Sequence, residues 1–275
     1  MLVAATTLIA KMLGPAGGAH PLHPLQVTAG RFGFAALALL PVLAWRRPSF
    51  AGAAWREHGL RVISGWAGVS CLFAAAAAMP LADATAIGFL SPIVTMVLSV
   101  PLLGERVGPW RWTAAAVAFA GAVVLTGPGT AAFQPMALVA LGAALFLGLE
   151  AIMIKRLSRG ESMLRIMAIS NIAGAAIALA ATIPVWIRPL PEQWLMLALL
   201  GITMLAVQML FIQAVRLGDA SFVMPFVYTT LLFAGLYDFV IFGVLPTTAA
   251  WIGAALIVVG AITIGWRERV QRRGS

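Results

Sequence analysis

LADATAIGFLSPIVTMVLSVPLLGER, running from Leu81 to Arg106, decides the fold class. Between Asp83 and Glu105 no charged residue interrupts a run dominated by Ile, Leu, Val, Ala and Phe. As a helix, a run of this length rises roughly 30 Å at 1.5 Å per residue, which matches the hydrocarbon thickness of a bilayer. Apolar and polar residues do not alternate along it, so a transmembrane β-strand is excluded.

Working outward, the same pattern recurs to both ends. The spans read Met1–Leu13, Leu25–Trp45, Val62–Met79, Ala82–Leu103 and Trp112–Leu125, then Met136–Ile154, Ile166–Ile187, Trp194–Val215, Ala220–Val244 and Ala249–Trp266. Short connections carry Gly, Pro and charge, as in Arg46-Arg47-Pro48, Gly127-Pro128-Gly129 and Arg188-Pro189-Leu190-Pro191. Only 10% of the chain is charged and 62% is hydrophobic, whereas a soluble domain carries about 25% charge. The expectation is an all-α integral membrane protein of ten helices. Thirteen residues in the first span reach only about 20 Å. Either the start lies inside a longer natural gene, or the first helix is short and begins within the membrane; a cleaved signal peptide does not fit, for lack of a basic leader and a small-residue cleavage site.

Charge placement orients the spans. With a cytoplasmic amino terminus, the inner loops and tail hold fifteen of the eighteen basic residues, leaving only Lys11, Arg31 and Arg188 elsewhere. That bias follows the positive-inside rule and places both termini in the cytoplasm. The net charge of +9 therefore belongs to membrane orientation, and a nucleic-acid partner is not expected. Cys71, the single cysteine, admits no disulfide within the chain.

The halves resemble each other. Leu81-Ala82-Asp83-Ala84-Thr85 recurs as Leu217-Gly218-Asp219-Ala220-Ser221, each before a long apolar span. Trp112 precedes Gly121 by nine residues, as Trp251 precedes Gly260, and Lys11 ends its apolar block much as Lys155 does. Five spans per half make the second copy run the opposite way through the membrane. Gly104-Glu105-Arg106 then lies inside, and its uncharged counterpart Gly243-Val244-Leu245 outside. Inverted repeats of this kind support alternating access in secondary transporters.

Pro80 to Ala86, Leu90-Ser91-Pro92, Leu103-Gly104-Glu105-Arg106, Trp112 and Gly121 together resemble the signature of the drug/metabolite transporter superfamily, nearest to its EamA-domain ten-helix type. Arg31-Phe32 and the ending Trp266-Arg267-Glu268-Arg269 are similar too. The resemblance implies two inverted five-helix EamA-type repeats, at 1–126 and 136–267, followed by a basic cytoplasmic tail at 268–275. It implies a basket of helices around a central cavity and a solute among amino acids, amines, nucleotide-like metabolites or related compounds. Two departures stand out: the first helix lacks its usual amino-terminal half, and Gly243-Val244 replaces the Gly-Glu frequent after the ninth helix.

Ionisable groups at membrane depth persist mainly where they line water or pair. Arg31 and Asp238 fall at similar depth, and either pair structurally or present opposite charges to a zwitterionic solute. Glu150 either reaches the interface or a basic residue of the next loop, or titrates to couple transport to protons. Lys11 and Lys155 are expected to snorkel at opposite interfaces. Asn171, Gln208, Tyr228 and Thr229 are candidates to hydrogen-bond a solute, or tie helices together. Trp66 and Phe89 offer rings to a flat solute, or ordinary packing. Pro92 and Pro225 sit within the fourth and ninth spans, where each can kink its helix and serve a gate.

His20 and His23 have no acidic or cysteine neighbour, so no metal site is expected, and no cofactor is implied. No Walker-type phosphate loop is present. The expected activity is secondary transport of small organic metabolites, with export as the favoured direction, in a multi-pass cell membrane; Ala and Arg richness points to a bacterial inner membrane. A passive channel or scaffold is the alternative. An intramembrane enzyme needs Ser or Cys beside His at membrane depth, and all three histidines (His20, His23, His58) fall in expected loops, so the chain reads as no enzyme.

Overall fold

The structure, a computed structural model, describes residues 1–14, 20–78, 87–126, 135–243 and 248–273. Every regular element among the described residues is helical. In chain order they are α1 (Leu2–Leu13), α2 (Pro24–Arg46), α3 (Trp55–Ala78), α4 (Ser91–Leu103), α5 (Pro109–Thr126), α6 (Met136–Gly160), α7 (Met163–Thr182), α8 (Pro191–Leu217), α9 (Ala220–Val223), α10 (Thr229–Phe242) and α11 (Thr248–Arg273). Two 3-10 turns, Ile183–Val185 and Met224–Tyr228, follow α7 and α9. Among the described residues, five stretches are long and apolar enough to cross a bilayer: Pro24–Arg46, Met136–Gly160, Met163–Val185, Pro191–Leu217 and Ala220–Ile241. Ser91–Leu103 and Trp251–Thr263 are shorter apolar helices.

Helix ends differ from the sequence expectation in several places: α7 ends at Thr182 rather than Ile187, and α11 runs on to Arg273 rather than ending at Trp266. α3 starts at Trp55 rather than Val62, because its first turns bury His58 and Arg61 against protein. α6 continues to Gly160, with Lys155, Leu157 and Ser158 buried along the added turns. The ninth span is not one helix but α9, a 3-10 turn and α10. The Asp83 motif, residues 79–86, lies outside the described residues, as does Val244.

Two compact units form, each drawing on both halves of the chain. The first contains 1–62 and 156–216, the second 63–155 and 217–275. Within the first, α2 packs on α7 where Gly174 lies under the Phe32 ring; a Cβ on Gly174 would stand 2.7 Å from it. Gln26 clamps the turn after α7, its Nε2 donating to the Ile187 carbonyl (2.6 Å) while its Oε1 accepts from the Ile187 amide (3.3 Å). Leu13, Leu22, Val27, Leu197 and Leu200 form the apolar core beside it.

Within the second unit, α5 packs on α11 through small residues, which allow close backbone approach without a hydrophobic driving force between helices. A Cβ on Gly121 would lie 2.7 Å from the Gly253 carbonyl oxygen and 2.9 Å from the Ile257 amide nitrogen. A Cβ on Gly260 would lie 2.8 Å from the Ala114 carbonyl oxygen and 3.1 Å from the Ala118 amide nitrogen. Gly253 follows Trp251 by two residues as Ala114 follows Trp112, and Ile257 follows by six as Ala118 does. The contact is reciprocal and antiparallel.

Candidate functional site

Proline determines where the helices break in the second unit. Pro92 has no amide to offer the preceding turn, and it occupies the first turn of α4 just after a turn at Phe89-Leu90. Pro225 lies in the 3-10 turn Met224–Tyr228. These two interruptions meet. The hydroxyl of Tyr228 donates to the Phe89 carbonyl at 2.8 Å. The Tyr228 ring packs against Phe89 and Phe119 with centroids 5.9 and 6.3 Å away. Tyr228 is wholly buried, so its hydroxyl serves this tie. Thr229 bonds locally, its Oγ1 donating to the Phe226 carbonyl at 2.7 Å.

One helix links that junction to the acid. Gly148 of α6 lies against α4, where its Cβ would come within 2.7 Å of Val94 Cγ1 and 3.3 Å of the Ser91 carbonyl oxygen. Thr95 Oγ1 donates to the Ser91 carbonyl (2.9 Å) and reaches the Gly148 carbonyl (3.4 Å). Less than a turn further on, Glu150 turns to α3, and its carboxylate rests on Gly65; a Cβ there would stand 2.9 Å from both Cδ and Oε1. Leu147 lies on Gly68 in the same way. Glu150 makes no hydrogen bond or ion pair with a described residue. Because α6 runs to Gly160, roughly 15 Å of helix separates Glu150 from its end, beyond the reach of its side chain. Trp66, adjacent to Gly65, is 37% exposed.

In the first unit, Asn171 and Gln208 come together. Asn171 Nδ2 donates to Gln208 Oε1 at 2.7 Å and lies 2.8 Å from the Met167 carbonyl. The Arg31 guanidinium stacks on Phe32, 4.7 Å from the ring centroid. Arg31 belongs to the first unit and Asp238 to the second, and the side chains of Asp238 and Lys11 lie outside the described residues. The His20 backbone carbonyl accepts from Gln193 Nε2 at 2.7 Å, and His23 caps α2 by accepting from the Leu25 amide at 3.3 Å. Among the described residues no group of three His, Cys, Asp or Glu side chains could hold a metal.

Sequence reasoning missed two buried polar clusters. In the second unit Glu105 accepts from the amides of Ala220 (2.8 Å) and Ser221 (3.0 Å), capping α9 from outside. Gly104, at φ 69°, makes the turn that aims it. Asp219, which precedes α9 and could have capped it, instead accepts from Arg111 at 2.9 Å, and Arg111 also donates to Ser221 Oγ at 2.8 Å. Lys155 donates to the Gly218 carbonyl at 2.6 Å and is buried, which corrects the expectation that it snorkels to water. The available signal was the recurrence of Asp219-Ala220-Ser221 beside Gly104-Glu105.

The first unit has its own cluster. His58 Nε2 lies 2.8 Å from Glu161 Oε2, and Glu161 Oε1 accepts from the Ala54 amide at 2.6 Å. Burial pulls the Glu161 carboxyl upward, but the Ala54 amide, His58 and Arg165 outweigh it and hold the group below its ordinary 4.5. Arg216 donates to the Ser158 (3.2 Å) and Glu161 (2.7 Å) carbonyls. His58 was expected in a loop; it lies in the first turn of α3 and is 1% exposed.

The sequence matches the EamA-like transporter family over residues 1–127 and again over 134–266. The chain belongs to this family. An S-adenosylmethionine uptake transporter of Rickettsia prowazekii is 27% identical, across 90% of this chain and 85% of its own. A riboflavin transporter of Vibrio cholerae is 29% identical over 92% and 86%, and a riboflavin transporter of Rhizobium johnstonii 31% identical over 88% and 81%. One crystal structure superposes with a TM-score of 0.84 at 23% identity, covering 98% of this chain and 95% of the other; that likeness concerns the fold. The protein is a membrane transporter of small metabolites and not an enzyme. The relatives' names do not support amino acids as the solute or export as the direction.

Proposed function

We propose that this EamA-family protein is a secondary transporter that takes up a flat, nitrogen-heteroaromatic metabolite, in the manner of S-adenosylmethionine or riboflavin. The observation that carries the reading is the meeting of two interrupted spans at Tyr228 and Phe89. Discontinuous helices are where secondary transporters build solute sites, because irregular backbone in a membrane survives only inside protein or along a cavity. The half-exposed indole of Trp66 and the Phe89 ring offer stacking faces. Asn171 and Gln208 offer amide groups, with Thr229 and Arg31 as further solute contacts. Uptake rather than export follows the role of the Rickettsia relative, an S-adenosylmethionine uptake transporter.

Glu150 is proposed as the proton-coupling group. Its support is the placement of the carboxylate on Gly65 of α3 with no hydrogen-bond or ion-pair partner among the described residues. Arg31 and Asp238 are proposed as a coupled pair, and Pro92 and Pro225 as the points where the gate bends. The ten-helix layout with repeats at 1–126 and 136–267 is supported by the two matched stretches and by the reciprocal Gly121 and Gly260 contacts. A bacterial inner membrane with both termini cytoplasmic is supported by the bacterial relatives and the placement of basic residues.

The test is uptake by proteoliposomes of radiolabelled S-adenosylmethionine and riboflavin. Saturable uptake of either, driven by an inward-acid pH step or its reverse, supports the reading. Ohmic ion current without saturable solute movement supports a channel, and efflux alone supports export. Additive losses in Arg31→Ala, Asp238→Ala and the double variant would show the two residues to be uncoupled.

A further inference from the structure

The first unit holds a groove with no role in the transport reading. α2 and α8 touch where Gly201 lies against Ala35, a Cβ on Gly201 standing 2.9 Å from the Ala35 amide nitrogen. Toward Arg46 they leave a cavity of about 590 Å³ between them and the first turn of α7. Leu39 and Met167 are buried in it, while Val42, Ile202 and Met209 stand at its exposed edges. Arg46 is its one charged lining residue. Trp45, 77% exposed, carries the Arg46 guanidinium 4.6 Å over its ring. Trp and Arg together mark a membrane–water boundary, so the groove starts at the headgroup level. The rise from Arg46 to Ala38 is roughly 12 Å, most of one leaflet's share of a 30 Å core.

We propose that this groove binds one acyl chain of an anionic phospholipid from the surrounding leaflet, with the lipid phosphate at Arg46. A methylene occupies roughly 25 Å³ at protein packing density, so the cavity suits one chain of ordinary length. The lining is alkyl and thioether apart from the guanidinium. A polar metabolite would leave its hydrogen-bonding groups unmet there, which separates this groove from the solute site. Basic residues beside helix clefts at the inner surface recognise anionic headgroups.

The test is native mass spectrometry of the full-length protein released from nanodiscs of palmitoyl-oleoyl phosphatidylglycerol mixed with the matching phosphatidylcholine. Wild type should retain phosphatidylglycerol preferentially. Arg46→Ala should lower that retention about fivefold, the factor one basic residue contributes near an anionic surface. Arg47→Ala, whose residue does not line the cavity, should leave it unchanged. Ala206→Phe, which fills the groove, should remove retention of both lipids. Equal retention by wild type and Arg46→Ala, or undiminished retention by a folded Ala206→Phe, overturns the proposal. If Ala206→Phe does not fold, the comparison of Arg46→Ala with Arg47→Ala decides alone. Uptake assays are independent of this readout, so a failure here leaves the transport reading standing.

Discussion

The carboxylate of Glu150 on α6 rests directly on Gly65 of α3, in space that only a glycine leaves free. The pairing sets an acid with no described partner at membrane depth, against the residue that precedes Trp66 in the chain.

Gly65→Ala should therefore act as a partial Glu150 variant. Its added methyl would meet the carboxylate at 2.9 Å and push it aside. At a working site an ångström of misplacement can cost on the order of 10²-fold, so initial uptake should fall steeply while folding survives. Glu150→Gln should keep residual uptake and lose its pH dependence. Proteoliposome rates across pH check both, and full pH-dependent uptake by Glu150→Gln would remove Glu150 from the coupling role.

Gly121→Ala and Gly260→Ala should be destabilising by similar amounts, about 1–3 kcal/mol each, because each new Cβ meets backbone that cannot turn away. Thermal unfolding in detergent reads the effect. A neutral result at either position would mean that the helices can separate without loss.

Glu105→Ala leaves the Ala220 and Ser221 amides without their acceptor. A buried donor stripped of its partner costs about 1–3 kcal/mol, and the loss should appear as a lower melting temperature. Glu105→Gln, which keeps one acceptor oxygen, should lose less. An Ala variant as stable as wild type would show that water replaces the cap.

Acid should selectively weaken the first unit's cluster. Glu161 is held below its ordinary 4.5 in the folded chain. A depressed folded value gives a contribution present above the unfolded value and lost as pH falls through the folded one. The stability gap between wild type and Glu161→Gln should be full near neutrality and close below about pH 4.5. A gap constant across that range would count against the assignment.

The fold was largely legible from the sequence because the bilayer imposes one dominant rule, long uncharged runs, and the proteins that obey it leave charge at the ends. The same rule hid the helix ends. Trp55 to Arg61 and Lys155 to Gly160 look like solvated loop by charge, yet they are helical because His58, Arg61 and Lys155 find partners inside the protein. Pro225 announced a break in the ninth span; nothing announced that Tyr228 would close it against a carbonyl 139 residues away. Glu105 was visible as a motif but not as a cap, since its acceptor role depends on a turn more than a hundred residues later in the chain.

The reciprocal seating of Gly121 and Gly260 has an evolutionary corollary. Each helix offers the other the same patch it receives, which is the definition of an isologous contact. A surface of that kind needs no covalent link between its two sides. Two separate chains, each carrying one of these helices, would already dock through it, and a later gene fusion would only have to preserve a contact that was complete beforehand.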